Sequence, residues 1–289
     1  MRLGFIGFGE AASTIALGLS ETGLANMIAY DAMRSIAMEE RARAARVQLV
    51  DSPRDVCTQA DVVLSMVTAS VAADVARTVA PYLSPRQVYA DLNSCSPAVK
   101  REIGKLVNEA QPKALYASVA VMSAVGPHRH LVPMVTDGPG AEAFAAALTP
   151  YGCNIRVLAG EIGSSAALKM CRSTVLKGLE ALFIEALVAA EMYGVTGDML
   201  ASLDASFPQH ELSSLAWYLV ERNMQHGQRR AHEMDEAART LASAGVEPLV
   251  AEGAAKRLHW SAERQKAWPK ACHDSPRDAI HLLAKDMSC

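Results

Sequence analysis

The first 31 residues of this 289-residue chain constrain its fold more than any other segment. The apolar run Leu3–Ile6 is typical of a buried parallel strand, and Gly7, Gly9 and Ala12 follow it with the spacing Gly-x-Gly-x-x-Ala. A helical pattern comes next, and a second short apolar run ends just before an aspartate. We therefore predict a βαβ unit whose first turn is rich in glycine.

Each small residue of this turn has a physical role in holding a dinucleotide. Gly7 permits the tight turn, Gly9 has no Cβ to block a phosphate, and Ala12 lets the helix pack closely on the strand. The helix, predicted from Glu10 to Glu21, directs its N–H groups and its positive dipole end at the anion. The residues predicted to bind the cofactor here are Gly7, Phe8, Gly9, Glu10, Ala11 and Ala12.

Asp31 follows the second predicted strand, Met27–Tyr30, at the distance expected after Ala12. A carboxylate at this position accepts hydrogen bonds from the adenosine ribose hydroxyls and repels a 2′-phosphate. This favours NAD as the cofactor. Arg34 favours the alternative, NADP, because a guanidinium just past the strand can bind that phosphate.

Composition and charge argue against several other classes of function. The chain is 51% hydrophobic and 20% charged, with a net charge of −3, which indicates a globular protein without a nucleic-acid or membrane surface. It opens directly on the first strand and has no run of about 18 apolar residues, so we predict neither a signal peptide nor a transmembrane helix. We expect a cytoplasmic protein.

The cysteines and histidines do not follow a metal-binding spacing. The six scattered cysteines are Cys57, Cys95, Cys153, Cys171, Cys272 and Cys289. They are expected to be reduced thiols in a reducing compartment, and no metal site is predicted.

Strand and helix patterns alternate up to about residue 160. Further strands are predicted at residues 47–50, 61–67, 88–93, 114–122, 131–138 and 154–159, and the segment Gly126–His130 is predicted as a turn. Short connections between alternating elements indicate a Rossmann-type, doubly wound parallel sheet with extra strands. We assign residues 1–160 to this α/β NAD(P)-binding domain.

The pattern changes at Gly160. The segment from Ser164 to Tyr193 contains no proline and one glycine, and its apolar residues recur at helical spacing. This pattern predicts one helix of about thirty residues. The rest of the chain is predicted to be helices separated by short breaks. Residues 161–289 therefore form a predicted all-α domain.

Lys169 lies in the second turn of the long helix, where that helix leaves the first domain. Helical spacing places Arg172, Ser173 and Glu180 on its face. A lysine on an apolar helix end beside an arginine can have its pKa lowered by desolvation and like charge, as proton transfer requires. The residues alone favour the simpler interpretation, a surface lysine with a partly buried stem.

The order of several motifs changes that preference. The chain contains the N-terminal turn, then "DLNSCSP", then "TDGPG", then "GSSAALKMCRS", and in this order it resembles the β-hydroxyacid dehydrogenases, relatives of 6-phosphogluconate dehydrogenase and 3-hydroxyisobutyrate dehydrogenase. The family's catalytic lysine lies in Gly-x-Gly-x-x-x-Lys-x-x-Asn, with which Gly163 and Lys169 align. The resemblance implies that Lys169 is the general acid/base of hydride transfer.

The resemblance also implies the remaining site residues. Further cofactor contacts are expected from Met66, Val67, Thr68 and Asn93, and substrate contacts from Ser94, Cys95, Met122, Ser123, Arg172 and Ser173. In relatives the C-terminal helices associate between subunits and help to close the active site. A homodimer formed through these helices, with a small-molecule substrate, is therefore expected.

Departures in three of the family's motifs mark a divergent, poorly characterised branch. Ser165 replaces the second glycine, and Arg172 stands where the family has asparagine. The family's Asp-x-Ser-Thr is Asp91-Leu92-Asn93-Ser94 here, and its Ser-Gly-Gly is Val121-Met122-Ser123. These changes motivate the hypothesis that Arg172 binds an anionic group of the substrate, with an ion pair to an acid of the protein as the equal alternative.

Two other functions fit parts of the pattern. An imine reductase would share the two-domain plan but carries a different proton donor where Lys169 stands. A dinucleotide-binding module without turnover would fit the altered substrate loops but not the retained lysine. The main prediction is an NAD(P)-dependent oxidoreductase of a small β-hydroxy acid or related alcohol.

Overall fold

A computed structural model describes residues 1–111, 114–266, 268 and 275–285. The chain divides into two compact units, an N-terminal unit of Met1–Lys169 and a C-terminal unit of Met170–Cys289. The division falls inside the long helix, whereas the change in sequence pattern lies near residue 160, before that helix begins. Two of the predicted thiols, Cys272 and Cys289, lie outside the described residues.

The N-terminal unit contains one eight-stranded sheet. Its strands are β1 (Leu3–Ile6), β2 (Met27–Tyr30), β3 (Val47–Leu49), β4 (Val62–Ser65), β5 (Val88–Asp91), β6 (Leu115–Val121), β7 (Met134–Asp137) and β8 (Ile155–Val157). The strand order is β3-β2-β1-β4-β5-β6-β7-β8, and every neighbouring pair is parallel except β6 and β7. This confirms the doubly wound sheet with extra strands at one edge.

Helices cover both faces of the sheet. They are α1 (Glu10–Glu21), α2 (Ile36–Ala44), α3 (Pro53–Gln59), α4 (Ala72–Val79), α5 (Pro97–Ala110), α6 (Val125–His128) and α7 (Ala141–Leu148). Apolar side chains of α1, α2 and α7 pack on one face, and those of α3, α4 and α5 pack on the other. Burial on both faces explains why the central strands are almost uniformly apolar.

The segment between β6 and β7 differs from its prediction. Where we predict a simple turn at Gly126–His130, the chain forms α6 and then one 3₁₀ turn, Arg129–Leu131. Arg129 forms an ion pair with Glu21 at 2.7 Å, and the buried ring of His130 packs where a Cβ on Gly18 would lie. Packing of this segment against α1 is the long-range contact that turns it into helix.

The C-terminal unit is helical, as predicted. Helix α8 (Ser164–Met192) begins in the N-terminal unit and continues into the C-terminal unit, where α9 (Thr196–Ser206), α10 (Leu212–Ser243), α11 (Leu249–Gln265) and α12 (Pro276–Lys285) follow. Glu180 of α8 is fully buried and accepts hydrogen bonds from Arg230 and Asn223 of α10. Among the described residues, no helix combines the length and apolar character that a bilayer span requires.

Candidate functional site

The turn after β1 has the shape that a dinucleotide requires. Gly7 has a φ of +85°, and a Cβ at that position would overlap the carbonyl oxygen of Met66, the residue after β4. Glycine is therefore required there by both conformation and space. Gly9 differs, because apart from its own chain neighbours no described residue has an atom within 4 Å of a Cβ built on it. The backbone at Gly9 consequently faces open space in which a phosphate fits.

The start of α1 has no capping side chain. Ser35, Ser52 and Ser96 each accept a backbone N–H at the start of α2, α3 and α5, whereas Gly9 precedes α1 without such a hydrogen bond. The N–H groups of the first turn and the positive end of the helix dipole favour an anion at this point. The chain's own residues therefore fit the pyrophosphate of a dinucleotide.

Asp31 lies against the same turn. One carboxylate oxygen accepts the N–H of Phe8 at 2.7 Å and the other accepts the N–H of Met33 at 2.8 Å. These two bonds fix the orientation of the carboxylate at the carboxyl end of β2. The side chain is half-buried, so part of it remains accessible to a ribose.

Arg34, the residue that favours NADP in the sequence, is paired with two acids of the protein. Its guanidinium forms ion pairs with Glu39 and Asp51, both at 3.2 Å, and all three side chains are exposed. Each exposed pair contributes little to stability, about 0–1 kcal/mol. The two acids place negative charge beside the guanidinium.

Four polar residues form a row across adjacent strands at the carboxyl edge. Ser65 of β4 is in register with Asp91 of β5, Asp91 with Ser118 of β6, and Ser118 with Asp137 of β7. All four are completely buried. Residues in register share one face of a sheet, so these side chains form one continuous line, called here the polar row.

Asp91 is paired with a buried lysine. The ammonium of Lys100 on α5, only 1% exposed, lies 3.1 Å from the Asp91 carboxylate and donates to the Asp91 carbonyl oxygen at 2.7 Å. The Tyr116 hydroxyl donates to the same carboxylate at 3.2 Å. Burial, reinforced by the charge of Asp91, holds the pKa of Tyr116 well above its usual value, so the phenol stays a donor.

Asn93 connects the ends of β4 and β5. Its side-chain oxygen accepts the N–H of Val67 at 2.7 Å, and its amide donates to Ser65 at 3.0 Å and to Asp91 at 2.7 Å. The predicted cofactor contacts Met66, Val67 and Asn93 are thus brought together with Gly7. Because the Asn93 side chain is buried and engaged inside the protein, it orients the loop at Val67.

Asp137 holds the start of α8. Its two carboxylate oxygens accept the N–H of Gly163 at 2.9 Å and the N–H of Ser165 at 2.6 Å. The hydroxyl of Ser165 lies 3.2 Å from that of Ser118, so the polar row contacts the helix at two points. Lys169 lies one turn further along α8 and is half-buried.

The other predicted site residues differ in exposure. Ser94 and Ser123 are exposed and Met122 is half-buried, while Cys95 is buried beside the carbonyl oxygen of Ala69. Thr68 interacts with Ser70 at 3.1 Å. Arg172 is exposed and Ser173 is half-buried, and both belong to the C-terminal unit.

The described cysteines are thiols at scattered positions. Burial raises the pKa of Cys57 to about 12 and that of Cys153 to about 11, which makes both thiols unreactive near neutral pH. Cys95 and Cys171 are also thiols. Within the described part of the chain, histidine, cysteine and acidic side chains do not gather into a group of three suited to a metal ion.

Sequence reasoning missed two charged residues of this edge. Lys100 shares the apolar face of α5 with Ile103 and Val107, so a charge at buried helical spacing is the signal that identifies it. Asp137 ends a strand of the pattern "MVTD", as Asp91 ends "VYAD". The hydrogen bonds of Asp137 to α8 join residues 26 and 28 positions apart, which no local pattern shows.

Two known protein families match most of the chain. Residues 2–146 match the family described as the NAD binding domain of 6-phosphogluconate dehydrogenase, and residues 190–261 match a domain of unknown function, DUF1932. Human mitochondrial 3-hydroxyisobutyrate dehydrogenase is 30% identical over 183 residues, which are 60% of this chain and 52% of that enzyme.

Two solved structures are similar over nearly their whole length. A conserved hypothetical protein from Sinorhizobium meliloti 1021 is 35% identical, with a TM-score of 0.85, over 99% of this chain and 96% of that chain. The conserved protein MTH1747, described as structurally similar to 3-hydroxyacid dehydrogenases, is 32% identical, with a TM-score of 0.76, over 93% and 100%.

The buried pair predicts a large cost for neutralising Lys100. Lys100→Met should lower the free energy of unfolding by about 3–5 kcal/mol, because the Asp91 carboxylate stays buried without its cation. Lys105→Met is the matched control on the same helix. Lys105 is exposed and pairs with Glu109, so its loss should cost less than about 0.5 kcal/mol. Equal urea denaturation midpoints for the two variants would contradict the importance of the buried pair.

Proposed function

Because the chain belongs to the β-hydroxyacid dehydrogenase family, we propose that it transfers a hydride between NAD and a small, anionic β-hydroxy acid or related alcohol. The predicted domain of residues 1–160 would bind the cofactor. The predicted domain of residues 161–289 would complete the substrate site. The anchoring of the start of α8 at the polar row supports this proposal most directly, because Lys169 follows that anchor by one helical turn and ligands of such folds bind at the carboxyl edge of the sheet.

In this proposal Lys169 transfers the proton. In the oxidation direction its neutral amine accepts the hydroxyl proton of the substrate, and in reduction its ammonium returns that proton to the carbonyl oxygen. The nicotinamide, when bound, supplies the hydride acceptor or donor. Gly7, Gly9 and the first turn of α1 would hold the pyrophosphate, and Asn93 keeps the loop at Val67 in place beside it.

The contacts of Asp31 and Arg34 support NAD as the preferred cofactor. Asp31 keeps a fixed carboxylate where the ribose hydroxyls are expected, and its charge repels a 2′-phosphate. The ion pairs of Arg34 with Glu39 and Asp51 reduce the attraction that this guanidinium would offer to NADP.

Arg172 supports an anionic substrate. It lies three residues after Lys169 on α8, so the two side chains share one face of the helix. A guanidinium can bind a carboxylate, sulfonate or phosphonate through two parallel hydrogen bonds, whereas the asparagine of the family pattern cannot. We propose that Ser94, Cys95, Met122, Ser123 and Ser173 form the rest of the substrate site.

Exposed apolar residues on α8 support the proposed homodimer. Leu168, Val175 and Leu182 recur every seven residues and are 36%, 62% and 63% exposed. Such a stripe on a long helix is suited to contact with the same helix of a second copy. The thiols at Cys57, Cys95 and Cys153 support the expected reducing compartment, the cytoplasm.

Removal of the Lys169 amine tests the proposed chemistry. On the best substrate from a panel of small hydroxy acids, Lys169→Ala should lower kcat by about 100- to 10,000-fold, because the proton loses its acceptor. NADH binding, measured by fluorescence titration, should not change. Lys105→Ala is the control and should leave both values unchanged. Undiminished turnover by Lys169→Ala would contradict the mechanism, and NADH binding without turnover across the panel would favour a binding module.

The proposed preference for NAD rests mainly on the charge of Asp31. Asp31→Ser should reduce the ratio of kcat/KM for NAD over NADP by about ten-fold, equivalent to about 1.4 kcal/mol, because the 2′-phosphate no longer meets a carboxylate. Asp51→Asn releases part of Arg34 and should shift the ratio in the same direction with Asp31 intact. If the wild-type protein already prefers NADP, the assignment of NAD is wrong.

The role of Arg172 is separable from that of Lys169. Arg172→Gln should raise KM for the best anionic substrate by at least about ten-fold, with a smaller change in kcat, because uniform binding energy is lost. A neutral alcohol of the same skeleton serves as the control and should keep its KM. An unchanged KM for the anionic substrate would instead support an ion pair of Arg172 with an acid of the protein.

A further inference from the structure

We propose that Asp137 is a positioning residue for Lys169. Its carboxylate holds the start of α8 through the N–H groups of Gly163 and Ser165, and thereby sets where the lysine amine lies. The inference rests on the proposed function of Lys169 and adds to it a residue of β7 that the resemblance does not assign.

The contacts of Asp137 identify it as an anchor for the helix. It is completely buried at the last position of β7, and both of its oxygens are used at 2.9 and 2.6 Å. The first N–H groups of a helix have no partner within the helix, so an anion from another element can hold that end in place. Because the acceptor is a carboxylate, each of these bonds is stronger than a bond between neutral groups.

The backbone before α8 leaves little freedom for another arrangement. Gly163 has a φ of +99°, and a Cβ there would lie 2.9 Å from the carbonyl oxygen of Pro97 at the start of α5. Ser165 is completely buried and its hydroxyl contacts Ser118. The start of α8 is therefore fixed by a carboxylate, a glycine and a hydroxyl, all at the edge of the sheet.

The position of the first turn of α8 determines the position of Lys169, because the two are rigidly connected by the helix. Ser165 and Lys169 are four residues apart, which is a rise of about 6 Å and nearly the same face of the helix. A shift or tilt of the first turn moves the lysine by a similar amount. A displacement of about 1 Å of a reacting group can reduce a rate about 100-fold.

The test is a double-mutant cycle between Asp137→Asn and Lys169→Ala. Asparagine keeps the size of the side chain but presents an amide donor to one of the two N–H groups. Asp137→Asn should lower kcat by about 10- to 100-fold when Lys169 is present and by less than about two-fold when it is alanine. The affinity for NADH, measured by fluorescence, should stay within about two-fold in all variants.

A second readout follows the helix itself. Hydrogen exchange of peptides that cover residues 160–170 should be faster in Asp137→Asn. Asp204→Asn is the matched control, because Asp204 accepts the N–H and hydroxyl of Ser213 at the start of α10. It should leave kcat and exchange of residues 160–170 unchanged.

Gly163→Ala disturbs the same anchor without removing a buried charge, so it keeps the proposal testable if Asp137→Asn does not fold. It should lower kcat in the same Lys169-dependent way. If Lys169→Ala itself leaves kcat unchanged, the proposed function fails. If Lys169→Ala lowers kcat but the anchor variants lower it equally with and without Lys169, the positioning role of Asp137 is overturned.

Discussion

A carboxylate buried at the end of a strand must accept hydrogen bonds. The N-terminal unit contains two such carboxylates in one row of its sheet. The Asp91 carboxylate pairs with the Lys100 ammonium and accepts hydrogen bonds from Tyr116 and Asn93. The Asp137 carboxylate accepts backbone N–H groups at the start of α8. Because the effective cost of burying each charge is several kcal/mol, its donors must be held in place. The need to supply donors to these buried carboxylates thus positions three segments: the loop after β4, the loop after β5 and the start of α8.

The residues that hold the site in place differ from those predicted to contact the substrate. The polar row and its partners are buried and engaged with one another, whereas Ser94, Ser123 and Arg172 are exposed. The chain departs from its family in both sets: Ser94, Ser123 and Arg172 are exposed, whereas Asn93 and Ser165 are buried. Ser165 shows what a buried departure does. Its hydroxyl contacts Ser118, which gives that replacement a structural reason independent of the substrate.

The N-terminal βαβ unit is predictable because its determinants are local. The glycine spacing, the apolar strands and the position of Asp31 all lie within one short segment, and the structure places them in one turn. The roles of Lys100 and Asp137 are not predictable in this way, because they depend on strand register and on contacts between distant segments. The same reason explains why the segment before β7, predicted as a turn, is helical: its conformation depends on packing against α1.

The long helix also bears on where this protein can be divided. The composition of the chain changes at Gly160, but the donors that satisfy Asp137 are Gly163 and Ser165. A fragment that stops at residue 160 would leave a buried carboxylate without either donor, whereas a fragment that extends through Lys169 would retain both. A fragment designed to keep the N-terminal sheet intact should therefore include the first turns of α8, beyond the point where the sequence pattern changes.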